Sequence, residues 1–434
     1  MKNHFDVAVI GGGILGSSIA YFLASSSDAS IAIVEQENKF GMHASRRNTG
    51  RVHAPFLYDP EKRKLTARSA LKGFEMLKEY CNLNLLPFKE DDVLEVATSE
   101  IDVPVLDRYR SWGYKNGLTE DQLKFLSSDE VSRLEPNVKC HAAIICRREA
   151  ATDYGRITKQ LIYDAEKSGC ALIPDSKFME FSPSTKHLII KVRGSKEEFT
   201  ANYIINTAGG NSLDIAHTMG LAKEFNSLYF RGEYWQAPQE YSDLTTRSIY
   251  SVPKYAEYPF LDPHWIVRVD GRREIGPNAV PVISPYSYNW MSNLSSWRKI
   301  FDSSPNLAIF RLLTKSDFLQ LASREFWSSL SKRAMINRVK QFLPSLKPSA
   351  FTKRGVAGVR SSLIGKTGEF VPELLIVEND YSLHILNYNS PGATGALPIA
   401  AKIVWGLIEN GQLPRTNDKK SSLWNIDEIS ASIN

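Results

Sequence analysis

The sequence predicts an α/β (α+β) protein: a Rossmann-like nucleotide-binding domain with an antiparallel-sheet domain inserted into it. Three observations predict this. A strand–glycine turn–helix unit opens the chain at Asp6–Ser25, and two more units of that kind follow far downstream, at Ala201–Leu221 and His384–Ile408. Between the last two, Tyr229–Ser287 is dense in aromatic residues and strand formers. Units of one kind set so far apart imply that other segments interrupt a single nucleotide-binding domain.

Asp6–Ile10 is a short apolar run with β-branched residues and reads as a buried parallel strand. Gly11, Gly13 and Gly16 then stand at G-x-G-x-x-G spacing, with Ile14 and Leu15 inside it. The first glycine permits the tight turn, the second lets a phosphate approach the backbone, and the third lets the helix pack closely on the strand. Free N–H groups at the start of that helix face a pyrophosphate. Ile31–Val34 forms the next strand and leads into Glu35 and Gln36. An acid about 20 residues on accepts from a ribose hydroxyl and repels a 2′-phosphate, so NADP is disfavoured. The motif by itself does not separate FAD from NAD.

Composition bounds the rest. A chain of 434 residues allows about three domain equivalents. Its 43% hydrophobic and 23% charged content is ordinary for a globular protein. The 53 basic against 48 acidic side chains leave +5, without the basic stripe or module that marks nucleic-acid binding. No run reaches the ~18 apolar residues of a membrane span, and the first strand begins too early for a cleaved signal. Cys81, Cys140, Cys146 and Cys170 form no C-x-x-C pair, which argues against zinc or a redox pair and for a reducing, cytoplasmic setting. No metal site is expected.

Among the remaining segments, Phe40–Phe56 ("FGMHASRRNTGRVHAPF") reads as loop, Leu65–Tyr80 as a helix and Pro87–Thr98 as strands. Leu106–Leu134 mixes helix and turn, Ile157–Ser168 is helical, Ala171–Ile173 is a strand, and His187–Val192 lies in a hairpin ending near Phe199. Tyr229–Ser287 is expected to form an antiparallel sheet covering the substrate. Ile309–Leu343 reads as long and helical, with a basic end at Lys332–Lys340; a solvated amphipathic face or peripheral membrane contact both fit it. Val356–Ser361 and Leu374–Val377 return to strands, and residues 414–434 read as a loose polar tail. The expected division assigns 1–80, 145–225 and 350–413 to the nucleotide-binding domain and 81–144 and 226–349 to the substrate domain.

The three units in this order resemble the FAD-dependent D-amino-acid-oxidase superfamily with its glycine-oxidase-like fold. "INTAGG" at Ile205–Gly210 is similar to that group's second flavin motif. "HASRRNTGRVHA", His43–Ala54, resembles the H-x-T-x-x-N-S-G-V-x-H-x-G signature of L-2-hydroxyglutarate dehydrogenases and oxidases. "FRGEYW", "PFLDPHWIVRVDG", "EIGPNAV", "SLSKRA", "GVAGVR" and "NSPGATGALPIA" also look like stretches of that subfamily. The resemblance implies FAD, held non-covalently by Gly11, Gly13, Ile14, Leu15, Gly16, Glu35 and Gln36. It places Ser45, Asn48, Thr49 and Gly50 near the pyrophosphate, ribityl chain or flavin ring, and Ala208, Gly209 and Gly210 beside the cofactor. Gly392, Ala393 and Thr394 would lie under the pyrimidine end of the flavin, where a helix N-terminus stabilises negative charge. A covalent link through His53 is the alternative mode of attachment. The chain departs from the subfamily at Arg51 (usually apolar), Pro55 (a glycine), Thr49 (Ser), Ser45 (Thr) and Gly392 (Ala).

The implied reaction is oxidation of a 2-hydroxy acid, L-2-hydroxyglutarate to 2-oxoglutarate, by hydride transfer to flavin N5. The hydroxyl proton must leave too, and neutral imidazole is the side-chain base suited to neutral pH. His53 and His264 are the two candidates, each equally open to a second role as a hydrogen-bonding partner. His43 is expected to shape its loop, and His4, His141, His187, His217 and His384 to be structural or exposed. A dicarboxylate substrate calls for guanidinium partners: Arg360 first, then Arg231 and Arg268, with Tyr234 and Asn278 as neutral donors. Arg268 is an even number of residues from His264 and shares its face if one strand carries both. Oxygen or a quinone would reoxidise the flavin. Two other readings stay open: an amino-acid or N-methyl-amino-acid oxidase on the same scaffold, and a non-catalytic flavin-binding subunit.

Overall fold

Five parallel strands carry the nucleotide-binding half of the molecule. In the computed structural model, which describes residues 4–183, 188–193, 199–255, 258–295, 307–416 and 423–434, strand His4–Ile10 lies at the centre. It pairs with Ile31–Val34 on one side and Phe199–Asn206 on the other. Ala171–Ile173 extends the first flank and Ser382–Leu386 the second, both in parallel register. A parallel sheet is covered on both faces, which is why these strands are near-continuous apolar runs. Val7, Val9, Ile31, Ile33 and Ile205 face helices Ile14–Ser26, Tyr154–Lys167, Lys64–Leu83 and Gly392–Glu409. Phe5, Ile10, Val34 and Ile204 face the other way, onto helix Ser212–Thr218 and strand Lys177–Pro183. His187 lies outside the described residues.

The substrate half is built on an eight-stranded sheet. Its order is Lys353–Arg354, Trp235–Gln236, Arg273–Gly276, His264–Val267, Ser248–Ser251, Val93–Ala97, Ala142–Cys146, Leu123–Ser127. The expectation of a purely antiparallel sheet over Tyr229–Ser287 is corrected in two ways. Ser248–Ser251 runs parallel to Val93–Ala97. Strand Asn226–Gly232 also leaves this sheet, forming a three-stranded one with Val280–Val282 and Gly358–Ile364. A small fourth sheet, Arg51–Val52, Ala150–Thr152 and Phe88–Glu90, links the two halves.

Other boundaries shift as well. Lys353–Arg354 and Gly358–Ile364 pair with substrate-side strands, so the last return to the nucleotide-binding half comes after Ile364 rather than at residue 350. The long helical stretch divides into Leu307–Leu313, Ser316–Leu330 and Lys332–Val339. Ser331 makes the last break, its hydroxyl accepting from the Ala334 N–H at 3.2 Å as an N-cap. At the basic end, Lys332 donates to the Phe351 carbonyl, and Arg338 pairs with Asp262 and Glu325, so these cations serve internal contacts. Among the described residues no helix is long and apolar enough to cross a membrane.

The expected loose tail is corrected too. Its end is a helix, Ile426–Ile433, whose Ile426, Ile429 and Ile433 are buried in the core against helices Gly392–Glu409 and Lys64–Leu83, spaced i, i+3, i+7. Composition hid this, because a short amphipathic helix is polar on average. Ile429→Ala should therefore lower unfolding free energy by about 2–4 kcal/mol, the usual loss for a truncated core aliphatic. Urea denaturation measures it, and an unchanged midpoint would show the helix to be undocked.

Candidate active site

The parallel register brings the C-terminal ends of the strands to one edge, where ligands of α/β sheets bind. A cavity of about 510 Å³ opens there, lined by Ile10, Val34, Thr207 and Asn387 as the chain leaves four of those strands. At the first turn Gly11 has φ of +107°, and a Cβ there would stand 2.7 Å from the Thr207 carbonyl oxygen. A Cβ on Gly16 would lie 1.9 Å from the Gly11 carbonyl oxygen, so helix and strand touch backbone to backbone. Gly11, Gly13, Ile14 and Leu15 line the cavity; Gly16 does not, because its part is this packing contact. Glu35 is buried, and its carboxylate accepts N–H groups of Gly12 at 2.8 Å and Glu37 at 3.0 Å. Burial raises its pKa against those two bonds.

The loop after the second strand wraps this turn. Ser45 Oγ accepts the Ile14 N–H at 2.8 Å. Asn48 donates to the carbonyls of Ala44 and Ser45 and accepts the Gly50 N–H at 2.8 Å. Ser45, Asn48 and Thr49 line the cavity; Gly50 does not, its α-carbon facing the Thr152 carbonyl. Ala208, Gly209 and Gly210 line it from the second unit, and Gly392, Ala393 and Thr394 from the start of the last long helix. Thr394 Oγ1 accepts the His53 N–H and meets the Tyr154 hydroxyl, both at 3.0 Å. Glycine turns that bare the backbone at three strand ends, a ribose-facing acid and two long-helix N-termini suit an elongated anionic dinucleotide. The donor set therefore fits FAD.

Sequence reading missed the far wall. Tyr286 and Tyr288 line the cavity with Asn211 and Lys177. Tyr286 donates to Gln36 at 2.8 Å and receives a bond from Asn211 at 2.5 Å, while Tyr288 stacks on His43. Arg47 lies 4.1 Å over the Tyr288 ring. No periodicity marks these positions, which sit in loops; the only available signal was the aromatic pair in "YSY".

Both candidate bases reach the cavity, and both lie near the Tyr250 ring: His264 with ring centroids 4.1 Å apart and His53 at 6.3 Å. His264 Nδ1 lies 3.0 Å from the Asp262 carbonyl, which fixes the proton on Nδ1 and leaves Nε2 as an acceptor. Asp262 is anchored by Arg324 at 3.0 Å and Arg338 at 2.6 Å. Burial, aided by the charges of His53, Arg51 and Arg268, lowers the His264 pKa to about 3.

The arginines separate. Arg360 lines the cavity; its Nη1 donates to the Pro259 carbonyl at 2.6 Å, and among the described residues no carboxylate pairs with it. Arg231 is fully buried, pairs with Glu233 at 3.0 Å, packs on Trp290 and does not line the cavity. Arg268 does not line it either: it is ion-paired to buried Glu274 and donates to the Asn48 carbonyl. The shared face expected for His264 and Arg268 does not arise, because the strand ends at Val267 and Arg268 enters a turn. Tyr234 and Asn278 line the cavity, but the Asn278 amide is engaged at both ends, by the Glu233 N–H and carboxylate. His43 bonds Tyr288 and Glu37, and His384 bonds Asn206 and Ser382; His4 bonds Thr200, His217 faces the Ala222 carbonyl and His141 is exposed, all in keeping with structural roles. Among the described residues no cluster could hold a metal ion.

Comparison with known proteins agrees with this geometry. The chain is 28% identical over 409 residues to the mitochondrial L-2-hydroxyglutarate dehydrogenase of Caenorhabditis briggsae, covering 92% of each. It is 28% identical over 402 residues to the L-2-hydroxyglutarate dehydrogenase of Escherichia coli K12, again 92% of each. The human mitochondrial enzyme of that name is 26% identical over 422 residues, 92% of this chain and 88% of that one. Among solved structures, dithionite-reduced L-α-glycerophosphate oxidase from Mycoplasma pneumoniae, with FAD bound, superposes with TM-score 0.75 at 20% identity, covering 96% and 97% of the two chains. Glycine oxidase from Geobacillus kaustophilus gives 0.69 at 15% identity over 99% and 98%. Residues 6–404 match the family model of FAD dependent oxidoreductases, DAO, and the chain belongs to that family.

Proposed function

We propose that the protein oxidises a 2-hydroxy acid, L-2-hydroxyglutarate before others, to the 2-oxo acid. One observation carries the reading: the imidazoles of His53 and His264 line the cavity that the glycine turns define, together with the Arg360 guanidinium, which has no carboxylate partner among the described residues. The relatives named above supply the substrate class. Arg360 takes a substrate carboxylate; a charge-assisted bond from an otherwise unpaired guanidinium is strong because nothing must first be displaced. Bound FAD would supply the acceptor for the hydride that the substrate carbon loses. An imidazole Nε2 takes the hydroxyl proton, so the alcohol loses one hydride and one proton and becomes the ketone. Tyr234 and the lid strand His264–Val267 close water out of the reaction zone.

Anaerobic stopped-flow reduction against a panel of 2-hydroxy acids and amino acids tests this. Fast bleaching by L-2-hydroxyglutarate is expected; fast bleaching by an amino acid beside slow bleaching by the hydroxy acid would transfer the activity to an amine. Arg360→Met should weaken substrate binding by about 10- to 100-fold, a loss of roughly 1.5–3 kcal/mol, with a smaller change in limiting rate. Removing the base should lower the limiting rate by roughly 10²- to 10⁴-fold, seen by comparing His53→Asn with His264→Asn.

The His264 environment also sets a pH dependence of stability. Its folded pKa, about 3, lies below the 6.5 usual for a histidine. Between these limits the unfolded chain binds the extra proton, so stability is present above pH 6.5 and is lost as pH falls through the window. His264→Gln should show a shallower loss of Tm between pH 7 and pH 4.5 than the unaltered protein; parallel curves would contradict the buried neutral imidazole.

A further inference from the structure

His53 and His264 are the same side chain beside one tyrosine, Tyr250, yet their surroundings differ in sign. Behind His53 lies a buried ionic group. The Arg51 side chain is fully buried, with Nη1 2.6 Å from Asp91 and Nη2 3.4 Å from Glu149. Burial works against its charge, but Asp91, Tyr250 and Glu149 outweigh this and hold the guanidinium protonated. Glu149 spends one oxygen on the Ala54 N–H at 2.8 Å and turns the other to within 3.5 Å of His53 Nδ1. That Nδ1 is buried and has no hydrogen-bond partner that meets geometric criteria. One guanidinium thus faces two carboxylates, and the buried group carries an excess negative charge beside the imidazole.

We propose that Glu149 is the positioning residue that makes His53, rather than His264, the proton acceptor. The inference rests on the proposed oxidation. A proton taken at His53 Nε2 creates an imidazolium whose Nδ1–H meets Glu149, and the new charge completes a neutral set of two cations and two carboxylates. A buried charge is tolerated when it is paired in this way. His264 has the opposite surroundings, a backbone carbonyl at Nδ1 and the positive charges of Arg51 and Arg268 nearby, so it stays neutral and orients the substrate hydroxyl. The remaining groups that bear on His53 are Tyr250, Tyr154 through Thr394, and Glu95 behind Tyr250. Glu95 is pushed up to about 8 by burial and is mostly uncharged at neutral pH.

Two measurements on the FAD-loaded protein test the assignment. In ¹⁵N-histidine spectra, with the His53 signals identified by their loss in His53→Asn, the neutral ring should carry its proton on Nδ1. A proton on Nε2 overturns the proposal, and this result needs no variant at Glu149. Glu149→Gln keeps the shape and an acceptor but removes the charge. It should slow anaerobic flavin reduction about 10- to 100-fold, leave substrate affinity within about threefold and move the acidic limb of the rate profile down by about one pH unit; a merely structural role would not move that limb. If His53→Asn abolishes reduction while Glu149→Gln changes neither rate nor limb, this inference fails and the proposed oxidation stands. If neither histidine variant slows reduction, the imidazole-base reading itself fails.

Discussion

The backbone contact between Gly16 and Gly11 fixes where everything else in the site can stand. With no Cβ between them, the first helix starts directly against the end of the first strand, and its leading N–H groups reach the cavity instead of a side-chain layer. The same turn is pinned from both neighbours. Gly11 N–H donates to the Val34 carbonyl at 2.8 Å, and Thr207 Oγ1 donates to the Gly11 and Ile10 carbonyls at 2.9 and 3.0 Å. Three strand ends separated by up to 197 residues in sequence are thereby locked into one rim. The loop with Ser45 and Asn48 is hung on that rim through the Ile14 N–H, and Arg268 of the substrate sheet is tied to the loop through the Asn48 carbonyl. The end of strand His264–Val267 is thus tied to a glycine-to-glycine contact by a few hydrogen bonds.

Charge pairing decides which cations remain for a substrate. Arg231, Arg268 and Arg338 each sit against a buried carboxylate and brace the lid. Removing such a carboxylate would leave an uncompensated charge in the interior, the costly direction for a buried pair. Arg360, on the strand paired with that of Arg231, lines the cavity and donates to a carbonyl, with no carboxylate partner among the described residues. Arginine is thus used here in two physically distinct ways, as an internal strut where its charge is cancelled, and as a receptor where it is not.

Local chemistry was legible in the sequence; pairing between distant segments was not. The three strand–turn–helix units, with the glycines, Glu35 and the helix start at residues 392–394 that line the cavity, follow from short-range patterns of glycine, apolar runs and helix starts. Arg231 was misread although a signal existed: Glu233 lies two residues on, on the same face of an extended chain, and the pair satisfies itself. For Arg268 the partner, Glu274, lies across a turn whose position is not set by composition. The Ile426–Ile433 helix was lost because its three isoleucines are diluted by polar neighbours in a short segment. Tyr286 and Tyr288 reach the cavity only because a loop is folded back over it, a placement that no periodic pattern encodes.

Arg51 shows how a departure from a familiar pattern can be read physically. Taken alone, a guanidinium where an apolar residue is expected beside a reaction zone suggests either a misfit or a substrate contact. The structure gives it Asp91 and Glu149, neither near it in sequence, and so turns it into one member of a closed ionic group. A cation buried for its own sake would be paired once; this one is paired twice, and the surplus carboxylate is turned toward His53. The asymmetry between the two histidines is therefore written in the second layer of the site, where the side chains around each ring differ in sign while the rings themselves are alike.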